Sequence, residues 1–131
     1  MPVVDRPGNG KRILVVDDNQ DSAVSLALWL KLKGYETQVA HDGLEALSSA
    51  DSFRPAVLLL DIGLPKLDGY DVCRRIRSEP WGRSMQIFAL TGWGQEDAKR
   101  ATAAAGFDAH LVKPVEHALL EKILSAPPKS E

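Results

Sequence analysis

Asp61 closes the apolar run Ala56-Val57-Leu58-Leu59-Leu60 and opens the loop Ile62-Gly63-Leu64-Pro65. An apolar strand that delivers a carboxylate to its C-terminal tip is unusual unless something there needs the charge. The run Ile13-Leu14-Val15-Val16 does the same, ending in Asp17-Asp18. A third run, Ile87-Phe88-Ala89-Leu90, ends in Thr91-Gly92, and a fourth, Ala109-His110-Leu111-Val112, ends in Lys113-Pro114. Acid, acid, hydroxyl and amine thus fall at successive strand ends. Three carboxylates at one end of a domain repel one another unless a cation sits among them. The set can bind a divalent metal, offer a carboxylate nucleophile and hold a phosphoryl group.

The elements that must position these residues alternate along the chain. Strand 12–17 leads to a helix near 20–33, whose face carries Ala23, Leu26, Ala27 and Leu30 and whose end suits Gly34. A mixed strand over 35–40 and the turn His41-Asp42-Gly43 precede a short helix over 44–50. Strand 56–61 precedes a helix near 69–78, broken by Ser78-Glu79-Pro80-Trp81-Gly82. Strand 86–90 precedes a helix near 95–105 closed by Gly106, then strand 109–112 and a last helix over 116–124. Five strands alternating with five helices predict an α/β fold with a doubly wound, five-stranded parallel sheet. The wholly apolar runs 13–16, 57–60 and 87–90 read as central strands, and 35–40 and 109–112 as edges. That predicts the flavodoxin-like order 2-1-3-4-5, with a ligand site beyond the C-terminal ends of strands 1 and 3. Asp17, Asp18 and Asp61 land there. Residues 1–10, with Pro2, Pro7, Gly8 and Gly10, read as a flexible leader, 11–125 as the domain and 126–131 as a tail.

Composition bounds the function. The 131 residues suffice for one domain with a sizeable core, and 44% apolar with 26% charged residues is ordinary for a globular chain. A net charge of -2 argues against a general nucleic-acid-binding surface. The cluster Arg74-Arg75-Ile76-Arg77 reads as a solvated helix face. Cys73 is alone, which excludes a disulfide framework or cysteine-based metal site within the chain, and its setting reads as a packed helix face. The N-terminus has no apolar signal-peptide region and no apolar run approaches the roughly 20 residues that span a bilayer. The cytoplasm is the expected compartment. Asp42, Asp68 and Asp108 each neighbour Gly or a turn and read as caps or turn formers, and Asp18 could also cap the first helix. Trp29 reads as core, and Trp81 as a plug in the loop before the fourth strand.

The set Asp17-Asp18, Asp61, Thr91 and Lys113-Pro114 resembles the receiver domain of two-component response regulators. The resemblance covers about residues 11–125. It includes the spacing of 30 residues from Asp61 to Thr91 and 22 from Thr91 to Lys113, the phrase Leu64-Pro65 followed three residues on by Asp68-Gly69, and Ala105-Gly106-Phe107-Asp108. The resemblance implies that Asp61 is a phosphoacceptor, forming an acyl phosphate. It implies Mg2+ held by Asp18, by Asp17 partly through water, by Asp61 and by the backbone carbonyl of Gly63. Thr91 would donate its hydroxyl and Lys113 its ammonium to phosphoryl oxygens, and Lys113-Pro114 would be a cis peptide. His110 stands where such domains often carry a Tyr or Phe switch residue. Gly63 and Trp93 resemble in position the residues that in such domains control water access to the acyl phosphate, which implies a role in its lifetime.

The implied partners are a sensor histidine kinase or histidine phosphotransfer protein as donor, and as output a downstream protein target or a covalently attached kinase domain, without direct contact to nucleic acid or membrane. The fourth helix, fifth strand and fifth helix would form the switching face. The helix at 95–105, with Ala98, Ala101, Ala103, Ala104 and Ala105 as its main apolar content, is expected to be loosely held. About six residues follow the last helix, which fits either a stand-alone protein or a receiver cut from a longer chain such as a hybrid kinase. Such a domain assists its own phosphorylation and dephosphorylation but is not an enzyme with a separate substrate. Two other classes stay open: a receiver-like interaction module that never accepts phosphate, and a haloacid-dehalogenase-type phosphatase, which would want a second acid where Asp61-Ile62-Gly63 has none.

Overall fold

The computed structural model describes residues 10–92 and 103–124. Five parallel strands run in the order β2-β1-β3-β4-β5: β1 Arg12–Val16, β2 Glu36–Ala40, β3 Val57–Asp61, β4 Gln86–Thr91 and β5 Ala109–Val112. The order is the expected one. Helices α1 (Gln20–Leu32), α2 (Gly43–Phe53) and α3 (Gly69–Ser78) and a C-terminal helix (His117–Leu124) cover the two faces, with a 3-10 turn at Pro80–Gly82. Residues 103–105 are helical; the rest of the predicted helix 95–105, most of the leader and the tail lie outside the described residues. No described helix is long and apolar enough to cross a membrane.

The continuous apolar runs form strands because both of their faces are covered. Leu14, Val16, Leu58, Leu60, Ile87 and Ala89 turn to one layer, with Ala46 and Ala50 of α2 and Val72, Cys73 and Ile76 of α3. Ile13, Val15, Val57, Leu59, Phe88 and Leu90 turn to the other, with Ala23, Ala27 and Leu30 of α1 and Leu120 and Leu124 of the C-terminal helix. The alternation of period two sorts each strand between two cores. Burying each leucine contributes about 1.5–3 kcal/mol, so the sheet centre is firmly held.

Helix starts are set by side chains. Asn19 accepts from the Ser22 amide at 3.0 Å, Asp42 from Glu45 at 2.8 Å and Asp68 from Asp71 at 3.0 Å. Asp42 and Asp68 are caps as read; the cap of α1 is Asn19, which leaves Asp18 free for the sheet end. Helix α2 runs to Phe53 rather than stopping at residue 50. It ends at Arg54 in the left-handed region (φ 51) where the sequence offers no glycine. Trp29 sits at the edge of the core: half-buried, it packs against the layer of α1 and the C-terminal helix and stacks on His117 with ring centroids 4.1 Å apart. Trp81 packs partly buried against the α2–α3 layer, with the Arg54 guanidinium 4.5 Å from its ring centroid.

Arg77 corrects the reading of the basic cluster as one solvated face. Arg74 and Arg75 are exposed, but Arg77 donates to the carbonyls of Gly106 (2.9 Å), Gly82 (2.7 Å) and Met85 (2.6 Å) and pairs with Asp108 at 3.0 Å. Asp108 in turn accepts from the Ile87 amide at 2.8 Å. It ties β5 to α3 and β4 rather than only forming a turn.

Burial pushes the Cys73 thiol up to about 11, against the pull of the nearby Arg77 charge. The raised folded value means that the unfolded chain gives up this proton first, so stability falls as pH climbs from about 9 towards 11. At pH 8 the native thiol should react with a water-soluble disulfide reagent at least ~100-fold more slowly than in denaturant. Equal rates would place Cys73 outside the core.

Candidate functional site

Backbone pairing carries each functional side chain to the same end of the sheet. The Asp17 amide donates to Ala40 O at 3.1 Å, extending the β1–β2 ladder past Val16. Asp61 is itself the last residue of β3, in register with Leu90, and the Ile62 amide reaches Leu90 O at 3.3 Å. The Lys113 amide donates to Thr91 O at 2.7 Å, so β5 delivers its lysine at the level where β4 ends. The Lys113–Pro114 peptide is cis.

Side-chain atoms then converge. Lys113 Nζ lies 2.9 Å from Asp61 Oδ2 and 3.3 Å from Asp17 Oδ2. Asp61 Oδ1 accepts from the Gly63 amide and Asp17 Oδ1 from the Asn19 amide, each at 3.0 Å. Asp17 and Asp61 are buried, at 3% and 6% exposure, while Asp18 is open to solvent. Asp17, Asp18 and Asp61 each offer a carboxylate oxygen, and these oxygens lie within 4.8 Å of one another.

The electrostatics follow from that crowding. At this separation and an effective dielectric of about 20, each carboxylate pair repels by roughly 3 kcal/mol. Burial raises the Asp17 carboxyl above its ordinary range; the Asn19 amide and the Lys113 charge pull it back, and the Asp61 charge adds to the rise. Burial works against the Lys113 ammonium, yet its hydrogen bond to Asp61 and the charges of Asp61 and Asp17 outweigh that and hold its pKa above the usual lysine value. Among the described residues, one ammonium beside three carboxylates leaves an uncompensated charge of about two. A hard divalent cation takes oxygen ligands and supplies that charge, and the exposed carboxylate of Asp18 gives it a way in. The residues fit such an ion.

Thr91 is buried, and its hydroxyl donates across to Leu111 O of β5 at 3.3 Å. His110 pairs with Ala89 in β5, half-buried, on the opposite face of the strand from Leu111. Among the described residues, a Cβ added to Gly63 would come no nearer to another group than 3.8 Å from Asp61 Oδ1, so they leave the flank of Asp61 open there. Trp93 lies outside the described residues.

Sequence reasoning missed three residues that shape the site. Asn19 holds Asp17 through its amide while its side chain caps α1. His41 Nδ1 sits 3.1 Å from Asp17 O, behind the β1 end. Gly69 admits the backbone of β3: a Cβ there would fall 2.6 Å from Asp61 O and 2.6 Å from Ile62 Cα. The phrase Asp68-Gly69 carried that last signal, since a glycine just inside a helix start marks a close approach.

Comparison with known proteins gives a consistent answer. The family model for the response regulator receiver domain matches residues 13–125. The chain is 42% identical over 114 residues to the response regulator MprA of Mycobacterium avium, covering 87% of this chain and 48% of that protein. It thus spans about half the length of the curated relatives it matches. Among solved structures, it superposes with a TM-score of 0.80 and 36% identity on the receiver domain of a sensor histidine kinase from Pseudomonas aeruginosa, crystallised with a magnesium ion coordinated in the active-site cleft; the match covers 88% of this chain and 94% of that one. The chemotaxis protein CheY4 of Vibrio cholerae gives a TM-score of 0.81 at 30% identity, covering 87% of this chain and 95% of the other. With all of the sheet but Arg12 inside the matched span, the chain belongs to the response regulator receiver domain family of two-component signalling.

Proposed function

We propose that this domain, running over residues 11–125, takes a phosphoryl group from a histidine kinase or histidine phosphotransfer protein onto Asp61 and passes the change to the face around β5. The observation that carries the reading is the bridge from Lys113 Nζ to both Asp61 and Asp17 at the mouth of a three-carboxylate cluster. A buried carboxylate held by one amide and one ammonium is fixed in orientation and ready to attack.

In the transfer, an Asp61 carboxylate oxygen forms the new bond to phosphorus as the donor's phosphorus–nitrogen bond breaks, and the leaving imidazole keeps the electron pair. Asp17, Asp18, Asp61 and the Gly63 carbonyl would hold Mg2+, which when bound would supply charge neutralisation for the incoming phosphoryl group. Lys113 turns its ammonium from Asp61 Oδ2 to a phosphoryl oxygen, as a point charge on a flexible stem can. Thr91 gives up its bond to Leu111 O and donates to another phosphoryl oxygen, which couples β4 and β5 to the state of Asp61. Exposed Val112 and Leu119, 46% and 43% accessible, offer apolar surface on the elements that would respond. On this reading His110, three residues before Lys113, would respond to the Thr91 movement. The open flank at Gly63 lets water reach the acyl phosphate, which favours a short-lived signal. The output is a downstream protein or an attached kinase domain.

Incubation with magnesium and a small phosphodonor, followed by intact mass measurement, tests the reading. Addition of one phosphoryl group, lost on treatment with hydroxylamine, is the expected result. No addition, together with no binding of beryllium fluoride, would instead support an interaction module that works without phosphate.

A further inference from the structure

Helix α1 has three flanks with different fates. Ala23, Ala27 and Leu30 enter the core. Trp29 and Lys33 reach the C-terminal helix, through the stack on His117 and a 3.4 Å ion pair with Glu121. The remaining flank, turned away from that helix, is apolar and open: Val24 is 53% exposed, Leu28 56% and Leu32 78%. Together these side chains present on the order of 300 Å², the size of the largest apolar patch on an ordinary monomer, which is often functional.

The charges on this flank decide what covers it. Asp21, Val24, Leu28 and Lys31 recur at the spacing 3-4-3, so they share one stripe of the helix. Asp21 stands in the first turn and Lys31 in the last, both exposed. Neither takes part in an ion pair among the described residues. We propose that α1 is a self-association face, which pairs antiparallel with α1 of a second copy about a two-fold axis level with Leu26. In that register Val24 lies against Leu28 of the second copy and Asp21 against its Lys31, and symmetry makes each pair occur twice. Leu32 covers the aliphatic stem of the second copy's Gln20. The stripe is therefore its own complement, which is what an isologous contact requires. Antiparallel packing also sets each helix N-terminus beside the other's C-terminus, where the macrodipoles attract. A helix pair alone falls short of the ~800 Å² per partner of a standard stable interface, so the dimer forms reversibly and depends on concentration.

Sedimentation velocity on the 131-residue chain from about 10 µM to about 1 mM should show a monomer–dimer equilibrium within that range. Leu28→Asp, and independently Leu28→Lys, should leave only monomer, with thermal melts confirming that both variants fold. Asp21→Lys and Lys31→Asp should each weaken association roughly tenfold, because two attractions become two repulsions. The double swap should return to within about threefold of the parent. A parent that stays monomeric throughout overturns the proposal, as does a dimer indifferent to Leu28→Asp or a double swap no better than the single ones. If the parent is monomeric but Leu28→Asp slows phosphoryl uptake from a donor protein, the stripe belongs to that donor instead.

Discussion

Asp61→Asn should take up no phosphoryl group under conditions that convert the parent fully, a loss of at least about 1000-fold in rate, or about 4 kcal/mol in the barrier. The amide keeps the shape of the side chain but is not a nucleophile towards phosphorus. Its effect on folding is smaller because two changes oppose each other. The parent carboxylate accepts from the Gly63 amide through Oδ1 and from Lys113 through Oδ2, whereas asparagine has one acceptor oxygen and loses one of these bonds. Against that, repulsion with Asp17 and Asp18 is relieved. Both terms are of order 1–3 kcal/mol, so the melting temperature should stay within a few degrees of the parent. Intact mass and a thermal melt check the two halves separately. Labelling at a comparable rate would remove Asp61 from its assigned role.

Lys113→Ala should move two properties in opposite directions. Without the ammonium, Asp17 and Asp61 sit buried beside each other with no cation between them. Breaking a buried pair on one side costs about 3–5 kcal/mol; Lys113 is one-third exposed, which brings the expected loss to about 1–3 kcal/mol in chelator at neutral pH. In the parent, the raised lysine pKa keeps this contribution fully present below the ordinary lysine value of 10.5; it is lost only as pH rises through the folded value. The parent should therefore hold it through neutral pH. The variant should regain stability in acid, as Asp17 takes up a proton. It should also gain more from magnesium than the parent does, because the cation no longer shares the carboxylates with an ammonium. Phosphoryl uptake should nevertheless fall, since the charge facing the transferring group is gone. Thermal melts with chelator and with magnesium, beside mass measurement of uptake, separate these effects. A variant of unchanged stability that binds magnesium more weakly would contradict the bridging role of Lys113.

The sheet and the acid cluster were legible because each is written in short segments. Ile13–Val16 and Val57–Leu60 are continuous apolar runs, and a run buried on both faces reads without ambiguity as a central strand. The residue after each run is then delivered to the sheet's C-terminal end by geometry alone, which brings Asp17 and Asp61 together. What escaped is what depends on distant partners. Arg77 looks like its exposed neighbours Arg74 and Arg75, but its acceptors at Gly106 and Asp108 lie 29 and 31 residues away. The same holds for Trp29, which lies at the core's edge because His117, on another helix, stacks on its ring. The end of α2 escaped for a different reason: Ser48-Ser49 and Asp51-Ser52 dilute the apolar period, and Arg54 occupies the left-handed position that a glycine would have announced.

The sorting of each strand between two cores has a consequence for how this chain can change. Leu58 and Leu59 are neighbours in sequence, yet the first touches the α2–α3 layer and the second the layer of α1 and the C-terminal helix. The sheet is thus a partition, and among the described residues the buried side chains on its two sides fall into separate clusters. Conservative substitutions such as Leu58→Val and Leu59→Val should then add in free energy to within about 0.5 kcal/mol. One side can be repacked to suit a new partner without renegotiating the other. Asp17 and Asp61 stand at the rim of the partition, each held by one backbone amide and by Lys113, and so remain in place while either side diverges.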